Sequence, residues 1–250
     1  MRKTFGTRLP GMPNDHPSGH LIVIEGPDGS GRSTEVELLR DWLEVQGHPV
    51  VDTGLRRSTL ISEQIDEAKQ GHTLGGTTMA LLYAVDFADQ LENKILPSLA
   101  AGSTVLADRY IYTLMARAVV RGATRAWAQK LYGFALVPDL TILMDAKSEI
   151  LLHRAIAKYG ALDYWESGMD MSLSRDRFES FFRYQQLLKD EFDWMSAEFG
   201  FSRVDANRSP ELVHRDVRKI VAPLYGNRAP EKDADESPAP EAPASTESSE

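Results

Sequence analysis

The chain has 250 residues and a mass of 27.9 kDa, and its 42% hydrophobic and 26% charged residues suit one globular body with a sizeable core. No apolar run approaches the roughly 18 residues that mark a membrane span, and the absence of cysteine removes disulfides, zinc-thiolate sites, iron-sulfur clusters and thiol nucleophiles together. The formal charge of −9 is concentrated in residues 226–250, where seven acidic and two basic side chains give −5 and leave −4 elsewhere.

Residues 1–19 are basic but lack the apolar stretch and cleavage site of a secretory signal, so they read as a flexible leader. Residues 20–25, HLIVIE, form a β-branched apolar run closed by glycines, the pattern of a buried strand. Over residues 33–46, Val36, Leu39 and Leu43 recur at helical spacing, and Gly47 supplies the stop. Residues 48–54 begin a second strand. Strand, glycine turn, helix and strand open an α/β unit on a parallel sheet.

The alternation returns further on. Residues 77–100 suit one long helix, 103–108 a strand, 138–145 another strand, and 148–160 a helix. Residues 175–200 suit two or more helical stretches, 201–207 a last strand and 209–225 a last helix. Residues 20–225 show no repeat and no linker, so they are expected to form one domain. Residues 226–250 hold no aromatic or large aliphatic side chain and read as a disordered acidic tail. The mildly acidic body lacks interleaved basic and aromatic residues, which argues against nucleic acid as a partner. The lack of cysteine fits a cytoplasmic protein. The six histidines show no short metal-ligand spacing.

Chemistry concentrates at GPDGSGRS, residues 26–33. Glycine, four residues, glycine, basic residue and serine differ from the phosphate-binding P-loop in Arg32 alone. Gly26, Gly29 and Gly31 permit close backbone approach, so that successive N–H groups and the following helix end face phosphates. Ser33 would bring its hydroxyl to a phosphate-bound Mg²⁺. Arg32 keeps the positive charge but replaces a compact ammonium with a planar fork.

Asp108 ends an apolar strand and is expected at the carboxyl edge of the sheet, where it can hold Mg²⁺ or one of its waters. Its alternative is an ordinary turn aspartate. Arg109 and Tyr110 beside it suit an anion and a nucleoside. Asp28, inside the loop, has three readings: orienting an acceptor phosphate, contacting a ribose hydroxyl, or bracing the loop. Arg175 and Arg177 suit a mobile lid that closes on polyphosphate, or else exposed helix links such as Arg175 to Glu179.

Four stretches, EGPDGSGRST, LLYAVDFADQLENKILPSLAAGSTVLADRY, PDLTILMDAKSEILLHR and DRFESFF, resemble the thymidylate kinase family in order and spacing across residues 20–225. The resemblance implies a three-layer α/β/α P-loop kinase fold with a central parallel sheet and a small helical lid. It also implies a homodimer that uses ATP and Mg²⁺ to phosphorylate deoxythymidine monophosphate (dTMP). By that likeness Gly26, Pro27, Asp28, Gly29, Ser30, Gly31, Arg32, Ser33 and Thr34 hold the donor phosphates, and Arg109 contacts the acceptor phosphate. Tyr83 stands where the family commonly stacks a phenylalanine on thymine, and Asp176, Arg177 and Glu179 match a lid-adjacent motif.

The departures gather on the acceptor side. TGLRRST replaces the family's Arg-Glu-Pro run, with Arg56 and Arg57 as shifted cations. Phe87 replaces an arginine, Thr113 a serine, and Ala116, Arg117 and Ala118 an Ala-Tyr-Gln run. These changes leave two alternatives beside dTMP phosphorylation: another nucleotide or small phosphorylated acceptor, or a nucleotide-binding regulatory protein.

Overall fold

Five short segments, Leu21–Glu25 (β1), Val50–Gly54 (β2), Thr104–Asp108 (β3), Leu140–Asp145 (β4) and Ser202–Asp205 (β5), pair into one parallel sheet. The computed structural model describes residues 2–8, 18–70 and 74–226. The strand order is β2-β3-β1-β4-β5, with Ile24 opposite Asp108 and Glu25 opposite Leu143. This register brings the loop after β1 beside the carboxyl ends of β3 and β4.

Successive side chains of a strand face opposite sides, so an unbroken apolar strand needs cover on both. Leu21, Val23, Val105, Ala107 and Leu143 pack with Gly76–Gln90 (α3), Ile111–Val120 (α5), Arg125–Leu131 (α6) and Arg177–Phe199 (α8). Ile22, Ile24, Leu106, Ile142, Met144 and Val204 pack with Arg32–Val45 (α1), Ser148–Tyr159 (α7) and Pro210–Val221 (α9). The result is the expected three-layer α/β/α architecture.

Three segments modify the expectations. Residues 77–100 run as α3, a π-helical turn over Leu91–Ile95 and a short helix Leu96–Ala100 (α4), with Pro97 in the first turn of α4, where its missing N–H costs least. The stretch expected to break into several helices is one continuous α8, opened by Asp176, whose carboxylate accepts from the Glu179 N–H, and closed by Gly200 in the left-handed region. Ser62–Gln70 (α2), α5 and α6 add helices over segments left without an expected element.

The chain start departs from a loose leader. Thr4 bridges Leu136, the Phe5 N–H donates to Ala135 O at 3.1 Å, and the Phe5 ring meets Tyr112 and Phe199 edge-on. Residues 9–17 and the acidic tail from residue 227 onward lie outside the described residues.

Glu25 links the sheet to α5. It is fully buried, and its Oε1 accepts from the backbone N–H groups of Tyr110 (2.8 Å) and Thr113 (3.2 Å), while Oε2 accepts from the Thr113 hydroxyl (2.5 Å). The exposed donors at the start of α5 are thus capped from another strand. Burial pushes the Glu25 carboxyl above its usual 4.5, against the pull of these donors and of Arg32. A raised folded-state value means that the stabilising contribution is complete below the unfolded value and is lost as pH rises through the folded one. Relative to Glu25→Gln, the wild-type chain is therefore expected to gain stability in urea unfolding as pH falls from above the raised folded value toward the usual 4.5. Glu25→Ala, which strands the capped donors, is expected to cost about 1–3 kcal/mol at any pH in that range.

Candidate active site

The loop between β1 and α1 has its shape because glycine stands at its tight points. At Gly26, φ is +145° and an added Cβ would lie 2.8 Å from Met144 O; at Gly29, φ is +83° and Leu151 O would be 3.3 Å away. The loop is pressed against the β4 edge with its backbone drawn around the start of α1.

Arg32 lies 5% exposed beneath this loop. Its Nε donates to Asp108 Oδ1 at 2.9 Å, its Nη1 to the Gly26 and Pro27 carbonyls and, at 3.3 Å, to Ser30 Oγ; its Nη2 stands 3.6 Å from Asp28 Oδ1. The guanidinium staples the loop to β3. An ammonium has one nitrogen and cannot span these partners at once. Asp108 uses its other oxygen, Oδ2, to accept from the Ser33 hydroxyl at 2.7 Å.

Ser33 and Asp108 form an oxygen pair of the kind that holds Mg²⁺. Among the described residues there is no cluster of three or more His, Cys, Asp or Glu side chains able to hold a metal. Two protein oxygens suit an ion whose remaining positions are taken by substrate phosphates and water. The bound ion would neutralise phosphate charge.

Asp28 is the second hub. Its Oδ1 pairs with Arg109 and its Oδ2 with Arg117 at 2.8 Å, with Arg32 as a third cation nearby. Arg109 adopts φ +71°, a left-handed conformation uncommon outside glycine, which turns its side chain to this carboxylate while its N–H still donates to Ile24 O at 3.0 Å.

Asp28, Arg109 and Arg117 open into a cavity between α2, α3, α5 and the segment that follows α7, with Arg56, Tyr83, Arg121, Trp165 and Tyr184 in its walls. Burial pushes the Tyr83 hydroxyl above its usual value. Arg121 rivets the walls: it pairs with Asp170 at 2.7 Å, donates to Tyr184 Oη at 3.0 Å and lies 6.0 Å from the Trp165 ring centroid. Trp165 Nε1 donates to Lys69 O at 3.1 Å, which closes the segment after α7 over the end of α2.

The residues expected at the acceptor side divide. Asp28, Arg56, Tyr83, Arg109 and Arg117 converge on the cavity. Phe87 does not: it packs among Tyr110, Tyr132 and Phe134 in the core, at 5.0, 6.1 and 5.6 Å between ring centroids. Thr113 is buried on Glu25, and Arg57 lies exposed over Gly54. Arg175 is exposed, and Arg177 donates to Leu162 O at 3.3 Å, so neither lines the cavity. The expected Arg175–Glu179 link gives way to Glu179 held by the Ser174 hydroxyl from before α8 and by Arg183 one helical turn on. Thr34 lies exposed on the first turn of α1, beside α9.

Two residues that position the site carry little or no sequence signal. Asp86, fully buried in α3, accepts from the N–H groups of Arg56 (2.9 Å) and Ser58 (3.0 Å) and so holds the loop that presents Arg56. Arg154 donates to Gly29 O and Ala206 O at 3.2 and 3.0 Å, tying the phosphate loop to the end of β5. Asp86 is an acid on an otherwise apolar helical face, a faint cue; Arg154 has none.

The multipoint role of Arg32 has a direct test. Arg32→Lys keeps the charge but loses most of the staple, and is expected to lower stability by about 1–3 kcal/mol in urea unfolding. An unchanged midpoint would show that the guanidinium bonds contribute nothing.

Comparison with known proteins places the chain in a family. The sequence model of the thymidylate kinase family matches residues 24–217, from β1 to α9. The chain is 37% identical over 210 residues to "Probable thymidylate kinase 2" of Saccharolobus solfataricus, covering 84% of this chain and 98% of that protein. It is 32% identical over 222 residues to "Thymidylate kinase" of Shouchella clausii, covering 84% and 98%, and 30% identical over 210 residues to "Probable thymidylate kinase" of Pyrococcus abyssi, covering 81% and 96%. With its phosphate loop, its paired Ser33 and Asp108 and its facing cavity, this chain belongs to the thymidylate kinase family, enzymes of ATP-dependent phosphoryl transfer.

Proposed function

We propose that the chain transfers the γ-phosphoryl group of ATP to dTMP, forming dTDP and ADP. The observation that carries this reading is the juxtaposition of two compartments across Asp28: the loop that suits the donor phosphates, and the cavity with Arg109 and Tyr83 that suits a nucleoside monophosphate. The names of the relatives support dTMP as the acceptor.

The acceptor's phosphate oxygen attacks the γ-phosphorus, and the bond to the bridging oxygen breaks as ADP leaves. A monophosphate dianion is already a nucleophile, so the protein needs to align and neutralise charge rather than remove a proton. Ser33 and Asp108 are the residues that would hold Mg²⁺. Arg109 and Arg117, now on Asp28, are close enough to the transfer point to take the acceptor phosphate. Arg32 maintains the loop beneath the donor.

Arg117 and Ala118 in the cavity wall favour one second reading, a different nucleotide as acceptor. The protein is also proposed to act in the cytoplasm, and as a homodimer. No described helix is long and apolar enough to cross a membrane. Leu81 and Val85, one turn apart on α3 and 47% and 44% exposed, offer an apolar face for a second copy.

Purified protein with Mg-ATP and a panel of nucleoside monophosphates is expected to yield dTDP fastest, as resolved by ion-exchange chromatography. A faster diphosphate from another acceptor would select the second reading. Asp108→Asn keeps an acceptor for Arg32 and is expected to lower kcat by about 10²–10³ without unfolding the protein; unchanged turnover would remove Asp108 from the site.

A further inference from the structure

Lys69, the penultimate residue of α2, stands in the cavity wall with Arg56 and Arg117. Each neighbouring arginine has a carboxylate: Arg56 has Asp66, Arg117 has Asp28, and Arg121 has Asp170. Among the described residues no carboxylate lies within ion-pair distance of the Lys69 ammonium. Its backbone is fixed by the bond from Trp165 Nε1 to its carbonyl.

Several charged and titratable groups surround it. Arg56 comes from the loop after β2, Asp66 from α2, Tyr83 from α3 and Arg117 and Arg121 from α5, with Asp163 and Glu166 on the covering segment. Burial, then Arg117 and Arg56, lower Lys69 to about 8, while Asp163 and Glu166 pull the other way without reaching it. Lys69 is repelled by Arg117 and Arg56, and an anion bound among the three would relieve that repulsion.

We infer that Lys69 is an acceptor-binding residue of this kinase, holding the phosphoryl oxygens of the acceptor together with Arg56 and Arg117; the inference rests on the kinase reading above. The group is suited to this because its backbone is anchored at the end of α2 and the residue lines the cavity beside Arg56 and Arg117. Lys69 adds a cation to an acceptor side whose sequence reads TGLRRST in place of an Arg-Glu-Pro run.

A pH window follows. A phosphate monoester becomes a dianion above pH about 6, and the Lys69 ammonium loses its proton as pH rises through about 8. Anion binding favours the protonated lysine, so acceptor affinity is greatest between these values and falls at higher pH.

The test combines site-resolved lysine acetylation, read by mass spectrometry, with calorimetric binding on the full-length protein. The three probes are dTMP, thymidine and inorganic phosphate. Lys69 is expected to be protected by dTMP and by phosphate, and not by thymidine. Lys69→Met is expected to weaken dTMP binding roughly tenfold, to flatten its pH dependence and to leave ATP binding unchanged. Lys69→Arg is expected to keep tight dTMP binding and to abolish the fall above pH 8.

Unchanged Lys69 reactivity with both phosphate and dTMP would overturn the inference. So would a Lys69→Met variant that loses thymidine affinity as much as dTMP affinity, since that pattern belongs to a purely structural residue. If phosphate protects Lys69 while no monophosphate is phosphorylated, the anion site stands and the proposed acceptor chemistry falls.

Discussion

One carboxylate joins the two strands on which the site is built. Asp108 gives one oxygen to Arg32 and the other to Ser33, so the first turn of α1 cannot shift without breaking bonds at the end of β3. An uncompensated charge at so buried a position is costly, which is why Arg32 and Asp108 occur as a pair with further bonds to Gly26, Pro27 and Ser30. The substitution of arginine in a phosphate loop is therefore accommodated by what lies beneath the loop. A planar guanidinium suits a multipoint brace; a compact ammonium suits a point contact with phosphate.

Asp28 imposes a second constraint, of charge balance. Its single carboxylate faces Arg109, Arg117 and Arg32, so the cations near the transfer point outnumber their local counterions. On the proposed reading an incoming phosphoryl group would supply the missing negative charge, to arginines that Asp28 already orients. Orientation before binding is what converts an electrostatic attraction into catalytic positioning. Asp86 and Arg121 serve this arrangement from behind, one by holding the Arg56 loop and the other by fixing the cavity walls to each other.

The acceptor side shows how a family scaffold accommodates unusual residues. Phe87, expected on the acceptor side, is absorbed by an aromatic cluster with Tyr110, Tyr132 and Phe134. An arginine there would have to leave that cluster or be desolvated in it. Cationic character has moved to Arg117 and Lys69, on α5 and α2, which face the same cavity from different directions. The wall chemistry has changed while the apolar packing behind it has been kept.

Strand positions, the parallel sheet and the phosphate loop were all legible in the sequence, because each depends on local periodicity or on spacing within a few residues. The β-branched runs had to be buried on both faces, and the glycines of residues 26–31 had only one common use beside a strand and a helix. The apolar run ending at Asp108 placed Asp108 and Arg109 at a strand end in the same way, and the resemblance extended the reading to the three-layer fold. Tertiary structure alone decided which charges meet. Glu25 caps a helix 88 residues away, Arg117 reaches Asp28 across 89 residues, and Lys69 faces Arg117 because α2 and α5 border one cavity. Such pairings follow from sheet register and helix packing, which bring distant parts of the chain together, and no local pattern records them.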